Sequence, residues 1–214
     1  MEVKAANKAR KDTARRRTQA ERSDATRAAL VAAARPLFAE RGYAGVGAEE
    51  IVQAAGVTRG ALYHHFGGKP GLLEAVYRQI EKELTEEIVA GTLGGSDPLE
   101  AMRVAIGRFL DACLEPEVQR IVLLDAPAVL GWERWREIAA DYGLGLIEAS
   151  LQSAIEAGRI AEQPVKPLAH LLMGALDEAA MLVARAEDPK AAKADVTATL
   201  DRLLNGLSSE DSGH

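Results

Sequence analysis

Apolar positions recur every three or four residues along most of the chain, and this spacing predicts helices. The first folded helix is expected from about Thr26 to Arg41, on the apolar positions Leu30, Ala34, Leu37 and Phe38. Runs that alternate apolar and polar residues, which are typical of half-buried strands, are absent from the sequence, and alanine, the strongest helix former, is abundant. The sequence therefore predicts an all-α protein.

Two short helices with a tight turn between them are predicted next. The first spans about residues 48–55, and Gly56 and Val57 form the turn. Thr58 is placed to cap the second short helix, which is expected over Arg59 to His65. Two short helices joined in this way form a helix-turn-helix unit.

Longer amphipathic helices occupy the remainder of the chain. Pro70 fits the first turn of one of them, and a break at 91–96 precedes another that opens at Asp97 and Pro98. About five more helices follow, among them a long one from about Trp132 to Ala157. The predicted organisation is a basic flexible tail (1–24), a helix-turn-helix domain of three helices (25–70), a connecting helix (71–90), a second helical domain (91–207) and a polar tail (208–214).

Charge is distributed unevenly between the two ends of the chain. Residues 1–80 hold 14 Lys and Arg against 8 Asp and Glu, whereas residues 81–214 hold 12 against 24. A basic front half on an acidic body is typical of a polyanion-binding module joined to a different domain. The basic tail is either a solvated charged segment or an arm that contacts DNA phosphates or the minor groove.

Composition and motifs exclude several classes of protein. Cys113 is the only cysteine, so an internal disulfide is impossible and a reducing cytoplasm is expected. Charged residues interrupt the most apolar segments before they reach the length of about 18 to 20 residues that a membrane span requires, so no membrane association is expected. Catalytic and dinucleotide-binding signatures are missing, and adjacent His64 and His65 diverge by about 100° on a helix, so we expect no enzyme, no cofactor and no metal site.

The second short helix carries side chains suited to reading duplex DNA in the major groove. Ala61 and Leu62 are expected to face inward, and the exposed positions are Thr58, Arg59, Gly60, Tyr63 and His64. Arg59 can donate two parallel hydrogen bonds to guanine O6 and N7. His65 and Lys69 are placed for phosphate contacts, and Lys69 also sits at a helix N-terminus.

The same residues resemble the tetracycline-repressor (TetR-like) family of bacterial transcription regulators. The resemblance covers about residues 25–75 and rests on residues 54–66 together with Ala33, Ala34, Leu37, Phe38, Gly42, Tyr43, Ile51, Lys69, Leu72 and Leu73. It implies a homodimer in which the second short helix, the third helix of the chain, enters one half of a palindromic operator in each subunit. It also implies DNA-readout roles for Thr58, Arg59, Tyr63, His65 and Lys69. This chain departs from the family at Gly47, where Ser or Thr usually caps the second helix, and at Gly67 and Gly68.

The resemblance further implies that residues 91–207 bind an effector and form the dimer. A small hydrophobic effector, such as an acyl or aromatic compound, is expected to release the repressor from its operator. A regulator without a small-molecule effector and a corepressor-dependent repressor remain alternatives. The residues expected at the effector are Phe109, Cys113, Leu124, Asp125, Trp132, Trp135 and Met173, and those expected at the dimer interface are His170, Asp177, Met181, Leu200, Leu203 and Leu204.

Overall fold

The computed structural model describes residues 2–92 and 97–208, with side chains from residue 19 onward. The described residues form nine α-helices, one π-helical segment and an isolated β-bridge between Ile160 and Ser208. The expected all-α fold is confirmed. The α-helices are α1 (Glu2–Arg41), α2 (Ala48–Ala54), α3 (Arg59–Phe66), α4 (Lys69–Thr92), α5 (Pro98–Ala112), α6 (Ala126–Leu130), α7 (Trp132–Glu156), α8 (Val165–Arg185) and α9 (Pro189–Leu207), and the π-helical segment is Val118–Asp125.

Helix α1 begins much earlier than the sequence pattern predicts. Its first residue is Glu2 rather than Thr26, so the backbone of the predicted tail is helical and continuous with the folded helix. Alanine, lysine and arginine, which favour helices, dominate this segment, and no proline or glycine interrupts it. The flexibility predicted for residues 1–24 stays a prediction, and the predicted polar tail lies outside the described residues beyond Ser208.

The chain divides into two compact units, residues 1–76 and 77–214, and the division falls within α4. In the first unit, apolar side chains of three helices meet in one small core. Leu30 and Phe38 of α1, Ile51 of α2 and Leu62 of α3 have no exposed surface. Complete burial of each such side chain stabilises the fold by about 1.5 to 3 kcal/mol. This core fixes the angle at which α3 is presented.

The second unit has a separate core made by α5, α7, α8 and α9. Helix α5 contributes a stripe at intervals of three and four residues, formed by Leu99, Met102, Ile106 and Leu110. Leu200 and Leu204 of α9 are buried in the same core. Both leucines were expected at a dimer interface, but their side chains already pack inside the chain itself.

Helix α8 is long and apolar enough to cross a membrane by length and composition, which differs from the expectation drawn from the sequence. Core helices of soluble proteins pass the same test. Its apolar residues Ala169, Leu172 and Ala179 are buried in the core of the second unit, which accounts for the composition of the helix.

Candidate nucleic-acid interface and ligand cavity

The turn between α2 and α3 has the predicted geometry. Gly56 adopts a φ of 65°, which favours glycine, and its N–H donates to the carbonyl of Gln53 at 3.1 Å. Thr58 is the N-cap of α3, where its hydroxyl oxygen accepts a hydrogen bond from the Ala61 N–H at 3.3 Å. The helix therefore begins at Arg59, as the sequence predicts.

The outer face of α3 is exposed as expected. Leu62 is fully buried and Ala61 is half-buried, so these two side chains hold the helix against its unit. The exposed residues are Thr58, Arg59, Gly60, Tyr63 and His64, and His65 is half-buried. The first unit thus presents a short helix whose free side carries a guanidinium, a phenol and an imidazole.

Arg59 is held in place by two neighbours. Its Nη1 lies 2.6 Å from Oε1 of Glu49 on α2, and its Nη2 donates to the Tyr63 hydroxyl at 3.4 Å. The hydrogen bonds that Arg59 donates to Tyr63 and Glu49 raise the pKa of its guanidinium. All three groups are exposed, and surface ion pairs contribute little to stability, so Arg59 can exchange Glu49 for an acceptor on DNA. Sequence reasoning missed Glu49, since no helical spacing relates two residues on different helices.

Lys69 has a structural role that the sequence pattern did not indicate. Its ammonium donates to the carbonyls of Tyr43 and Val46, both at 2.8 Å, and lies 3.8 Å from the centre of the Tyr43 ring. These contacts tie the loop after α1 to the start of α4. The predicted phosphate contact of Lys69 stays a prediction.

The C-terminal end of α3 is fixed by α1 and by the start of α4. Arg27 donates to the carbonyl of His65 at 2.8 Å, and its guanidinium lies 4.5 Å from the centre of the Phe66 ring. A Cβ at Gly71 would lie 1.9 Å from the Phe66 carbonyl oxygen, so only glycine fits there. Neither Arg27 nor Gly71 was among the predicted site residues.

The second unit contains a cavity of about 140 Å³. Four of the predicted effector residues line it: Phe109, Cys113, Trp135 and Met173. We call this space the apolar cavity, because most of its lining is aliphatic or aromatic. It is lined by residues of α4, α5, the π-helical segment, α7 and α8, with Cys113 directly after α5.

Three predicted effector positions, Leu124, Asp125 and Trp132, lie outside the lining of the apolar cavity. Leu124 is 38% exposed and lies in the π-helical segment, where i to i+5 hydrogen bonding widens the turn and shifts the direction of each side chain from that of an α-helix. Asp125 ends the same segment. Trp132 is the first residue of α7, is 47% exposed and packs its ring on that of Trp135, with 4.8 Å between the ring centres. Both tryptophans were expected at the effector, but only Trp135 reaches the interior.

Two carboxyl groups line the apolar cavity, and neither was predicted there. Asp177 of α8 is buried, whereas the prediction placed it at a dimer interface; Glu81 of α4 is half-buried. The Nε of Arg136 lies 3.1 Å from Oδ2 of Asp177 in an ion pair, but this oxygen accepts no well-aligned hydrogen bond from the described residues. Burial raises the pKa of Asp177 to about 6, against the opposing effect of Arg136, and burial raises the pKa of Glu81 to about 7.

Side-chain hydrogen bonds hold the wall of the apolar cavity. The Tyr77 hydroxyl donates to the Trp135 carbonyl at 3.1 Å, and the Trp135 indole N–H donates to the Val122 carbonyl at 2.8 Å. The second bond satisfies a carbonyl within the π-helical segment. Burial raises the pKa of Cys113 to about 12, so its thiol is protonated at neutral pH and is core filler rather than a reactive group.

The predicted interface residues divide into buried and exposed sets. Asp177, Met181, Leu200 and Leu204 are covered by the chain itself, so they leave little surface for a second subunit. His170 and Leu203 are exposed and stay predictions. The large exposed apolar side chains of α8 and α9 are Leu171, Leu182 and Leu203.

Comparison with known proteins agrees with both units. Residues 30–76 match the family described as bacterial regulatory proteins, tetR family, and residues 99–207 match a tetracyclin repressor-like C-terminal domain. The transposon Tn10 TetC protein of Escherichia coli is 29% identical over 156 residues, which are 73% of this chain and 79% of that protein. Other curated relatives match over 34% to 51% of their own length.

Solved structures extend the match to nearly the whole chain. A TetR-family transcriptional regulator from Pectobacterium atrosepticum is 40% identical, with a TM-score of 0.80 over 89% of this chain and 97% of that one. RolR in complex with resorcinol is 21% identical, with a TM-score of 0.71 over 91% of this chain and 98% of that one, and shares the fold. The chain therefore belongs to the TetR family, whose members are DNA-binding transcriptional regulators and not enzymes.

Proposed function

We propose that the chain is a homodimeric repressor that a small effector releases from a palindromic operator in the cytoplasm. The observation that carries the proposal is the apolar cavity, because one wall of it is α4, the same helix that begins directly after α3. A ligand that binds one position of α4 better than another shifts the equilibrium between DNA-binding conformations. RolR, a protein of the same fold, was crystallised with resorcinol, which supports a small-molecule site.

The DNA contacts are assigned to the exposed face of α3. Arg59 contacts guanine through its two parallel donors, and Tyr63 contacts either a thymine methyl or a phosphate. Thr58, Gly60 and His64 line the same face, and His65 and Lys69 are the phosphate contacts at its end. For Thr58, Arg59, Gly60, Tyr63 and His64 the assignment rests on their exposure, and for the half-buried His65 and Lys69 it rests on the chemistry of their side chains and their place at the end of α3.

The dimer interface is assigned to an apolar face of α8 and α9. Leu171 and Leu182 are 11 residues apart, or about three turns, and therefore lie on one side of α8. They are 73% and 53% exposed, and Leu203 of α9 is 56% exposed. Three exposed leucines on two neighbouring helices are typical of a surface that a second subunit covers.

Four measurements test the proposal. The full chain is used to select genomic DNA fragments, and its mass in solution is measured by analytical ultracentrifugation. Candidate effectors are then titrated into the complex, and a reporter gene is placed behind the selected operator in cells. We expect a dimer, a palindromic site, repression of the reporter, and a loss of affinity of about 5 to 150-fold at saturating effector.

Each alternative to the proposal gives a different result in these measurements. A monomer or a site without symmetry would contradict the proposed assembly. A complex that effector strengthens would identify a corepressor, and one that no ligand affects would identify a regulator without a small-molecule effector.

Substitution of the exposed leucines tests the interface. Leu171→Glu combined with Leu182→Glu places charge on the proposed contact surface, so we expect monomers that bind single half-sites weakly. Val104→Glu on α5 is the matched control, because Val104 is also exposed and apolar but lies on another helix. If the double variant is still a dimer, the interface is formed by other residues.

A further inference from the structure

The size of the apolar cavity limits what it can hold. Its volume of about 140 Å³ is close to the roughly 150 Å³ of a cavity that binds benzene. A ligand of one ring fits this space, whereas a long acyl chain does not. The aromatic and sulfur-containing side chains of Phe109, Trp135 and Met173 on its wall suit the faces and edges of such a ring.

The polar groups of the apolar cavity limit the chemistry of the ligand. Oδ2 of Asp177 is buried and forms an ion pair with Nε of Arg136 at 3.1 Å, but it accepts no well-aligned hydrogen bond from the described residues. This oxygen can therefore accept a hydrogen bond from a ligand. Glu81 brings a second carboxyl group from α4. Its carboxyl group is hydrogen-bonded to the hydroxyl of Tyr77, one turn earlier on the helix.

No Lys, Arg or His lines the apolar cavity among the residues that the structure describes. Arg136 is paired with Asp177 and is not part of the lining. A ligand carboxylate would therefore enter an apolar space beside two acidic groups, with no cation in the wall to compensate its lost hydration. A donor group on the ligand would instead give Oδ2 of Asp177 a well-aligned hydrogen bond beside its ion pair with Arg136.

We propose that the apolar cavity binds a ligand one ring in size that donates a hydrogen bond to Asp177 or Glu81 through a hydroxyl or an amine, and that it excludes carboxylates. This inference rests on the proposed function and specifies its effector. Burial holds the pKa of both acids above its usual value, and a donor on the ligand reverses part of that effect by stabilising the ionised form.

Three one-ring probes test the ligand chemistry. Phenol, benzylamine and benzoate are titrated separately into the full chain by isothermal titration calorimetry, without DNA. We expect phenol or benzylamine to bind at least about 10-fold more tightly than benzoate, a difference of about 1.4 kcal/mol. Tighter binding of phenol identifies a hydroxyl as the donor, and tighter binding of benzylamine identifies an amine.

Asp177→Asn tests the acceptor. Asparagine keeps the shape of the side chain but removes the charge. We therefore expect the affinity of the chain for the bound probe to fall about 10-fold, which corresponds to about 1.4 kcal/mol of binding free energy. Glu162→Gln, an equal change of charge at an exposed residue before α8, is the control and should leave affinity unchanged. The comparison of benzoate with the other two probes uses the unaltered chain and stands even if the variant does not fold.

Three results would overturn the inference. The first is benzoate binding as tightly as both donors, and the second is failure of phenol and benzylamine alike to bind at millimolar concentration. The third is unchanged probe affinity in folded variants of both acids, Asp177→Asn and Glu81→Gln. Operator binding and dimer mass are measured on the same preparation. An intact dimer that binds its operator but ignores all three probes would therefore reject the ligand assignment and leave the proposed DNA function in place.

Discussion

The two units of this chain build their sites in opposite ways. The DNA-facing residues proposed for the first unit come mainly from one short helix, lie close together in sequence and are mostly exposed. The residues around the apolar cavity come from five segments between Glu81 and Ala180, and many of them are buried. A site made by one helix depends on local turn chemistry, whereas a site made by five segments depends on how whole helices pack.

The two sites also differ in the sign and the exposure of their charged groups. The first unit exposes cationic and hydrogen-bonding side chains, which suit phosphates and base edges in water. The second unit places Glu81 and Asp177 in a largely apolar cavity, where burial disfavours the ionised form of each. Substitutions in the first unit should therefore change DNA binding, and substitutions in the second should change ligand affinity and the pH dependence of stability.

The largest effect is expected from Gly71→Ala. The added Cβ would meet the Phe66 carbonyl oxygen at 1.9 Å, which forces the end of α3 away from α4 and costs about 3 kcal/mol. We expect operator binding to be lost while probe binding in the apolar cavity persists. Gly107→Ala is the control for folding, because it is the same change inside α5 and its Cβ would meet no atom within 4 Å. Unchanged thermal stability of Gly71→Ala would show that the backbone adjusts.

Arg59→Ala should give the next largest effect. Loss of a bidentate contact to guanine removes about 1 to 3 kcal/mol of discrimination at one base pair of each half-site. Binding to a set of operators with single substitutions, measured at one salt concentration, reveals whether preference is lost at one position only. Arg120→Ala, at an exposed arginine of the second unit, is the control. If Arg59→Ala keeps the base preference at every operator position, residues other than Arg59 read the operator.

Glu81→Gln tests the half-buried acid of the apolar cavity through the pH dependence of stability. Because the pKa of Glu81 is raised from 4.5 to about 7, the folded chain binds more protons than the unfolded chain between these values. The free energy of unfolding therefore falls as pH rises through this window and levels off above it. Asp177 contributes a further decrease in the free energy of unfolding as pH rises to about 6. Tyr77 and Cys113, which also face this region, have raised pKa values and stay protonated throughout.

Glutamine resembles the protonated acid, so Glu81→Gln should match the unaltered chain at pH 5 and exceed its stability at pH 8 by about 1 to 3 kcal/mol. Denaturant unfolding at the two pH values measures the difference. Glu87→Gln, at an exposed position of the same helix, should show no such divergence. Equal stability of Glu81→Gln and the unaltered chain at pH 8 would mean that Glu81 is solvated.

The same contrast between local and distant contacts explains which features could be predicted from the sequence. The cap at Thr58 and the turn at Gly56 depend on neighbouring residues, so both were predicted correctly. The position of Leu124 depends on a π-helical turn, which apolar spacing does not reveal. The start of α7 at Trp132 was predicted, but the exposure of Trp132 and the burial of Trp135 depend on how α7 packs against other helices. Asp177 was expected at a dimer interface, but the cation paired with it comes from another helix, so the direction of its side chain could not be predicted.

The smallest effect is expected from Glu49→Gln, which removes the ion-pair partner of Arg59. Arg59 then reaches DNA without first leaving a carboxylate, so we expect affinity to rise a few-fold, within the small range measured for exposed ion pairs. Glu50→Gln is the matched control: it makes the same change of charge one residue away, at a carboxylate paired with Arg41. If both variants gain equally, reduced repulsion of phosphates explains the result. A larger gain in Glu49→Gln, abolished when Arg59→Ala is added, would show that Glu49 restrains the side chain that reads the operator.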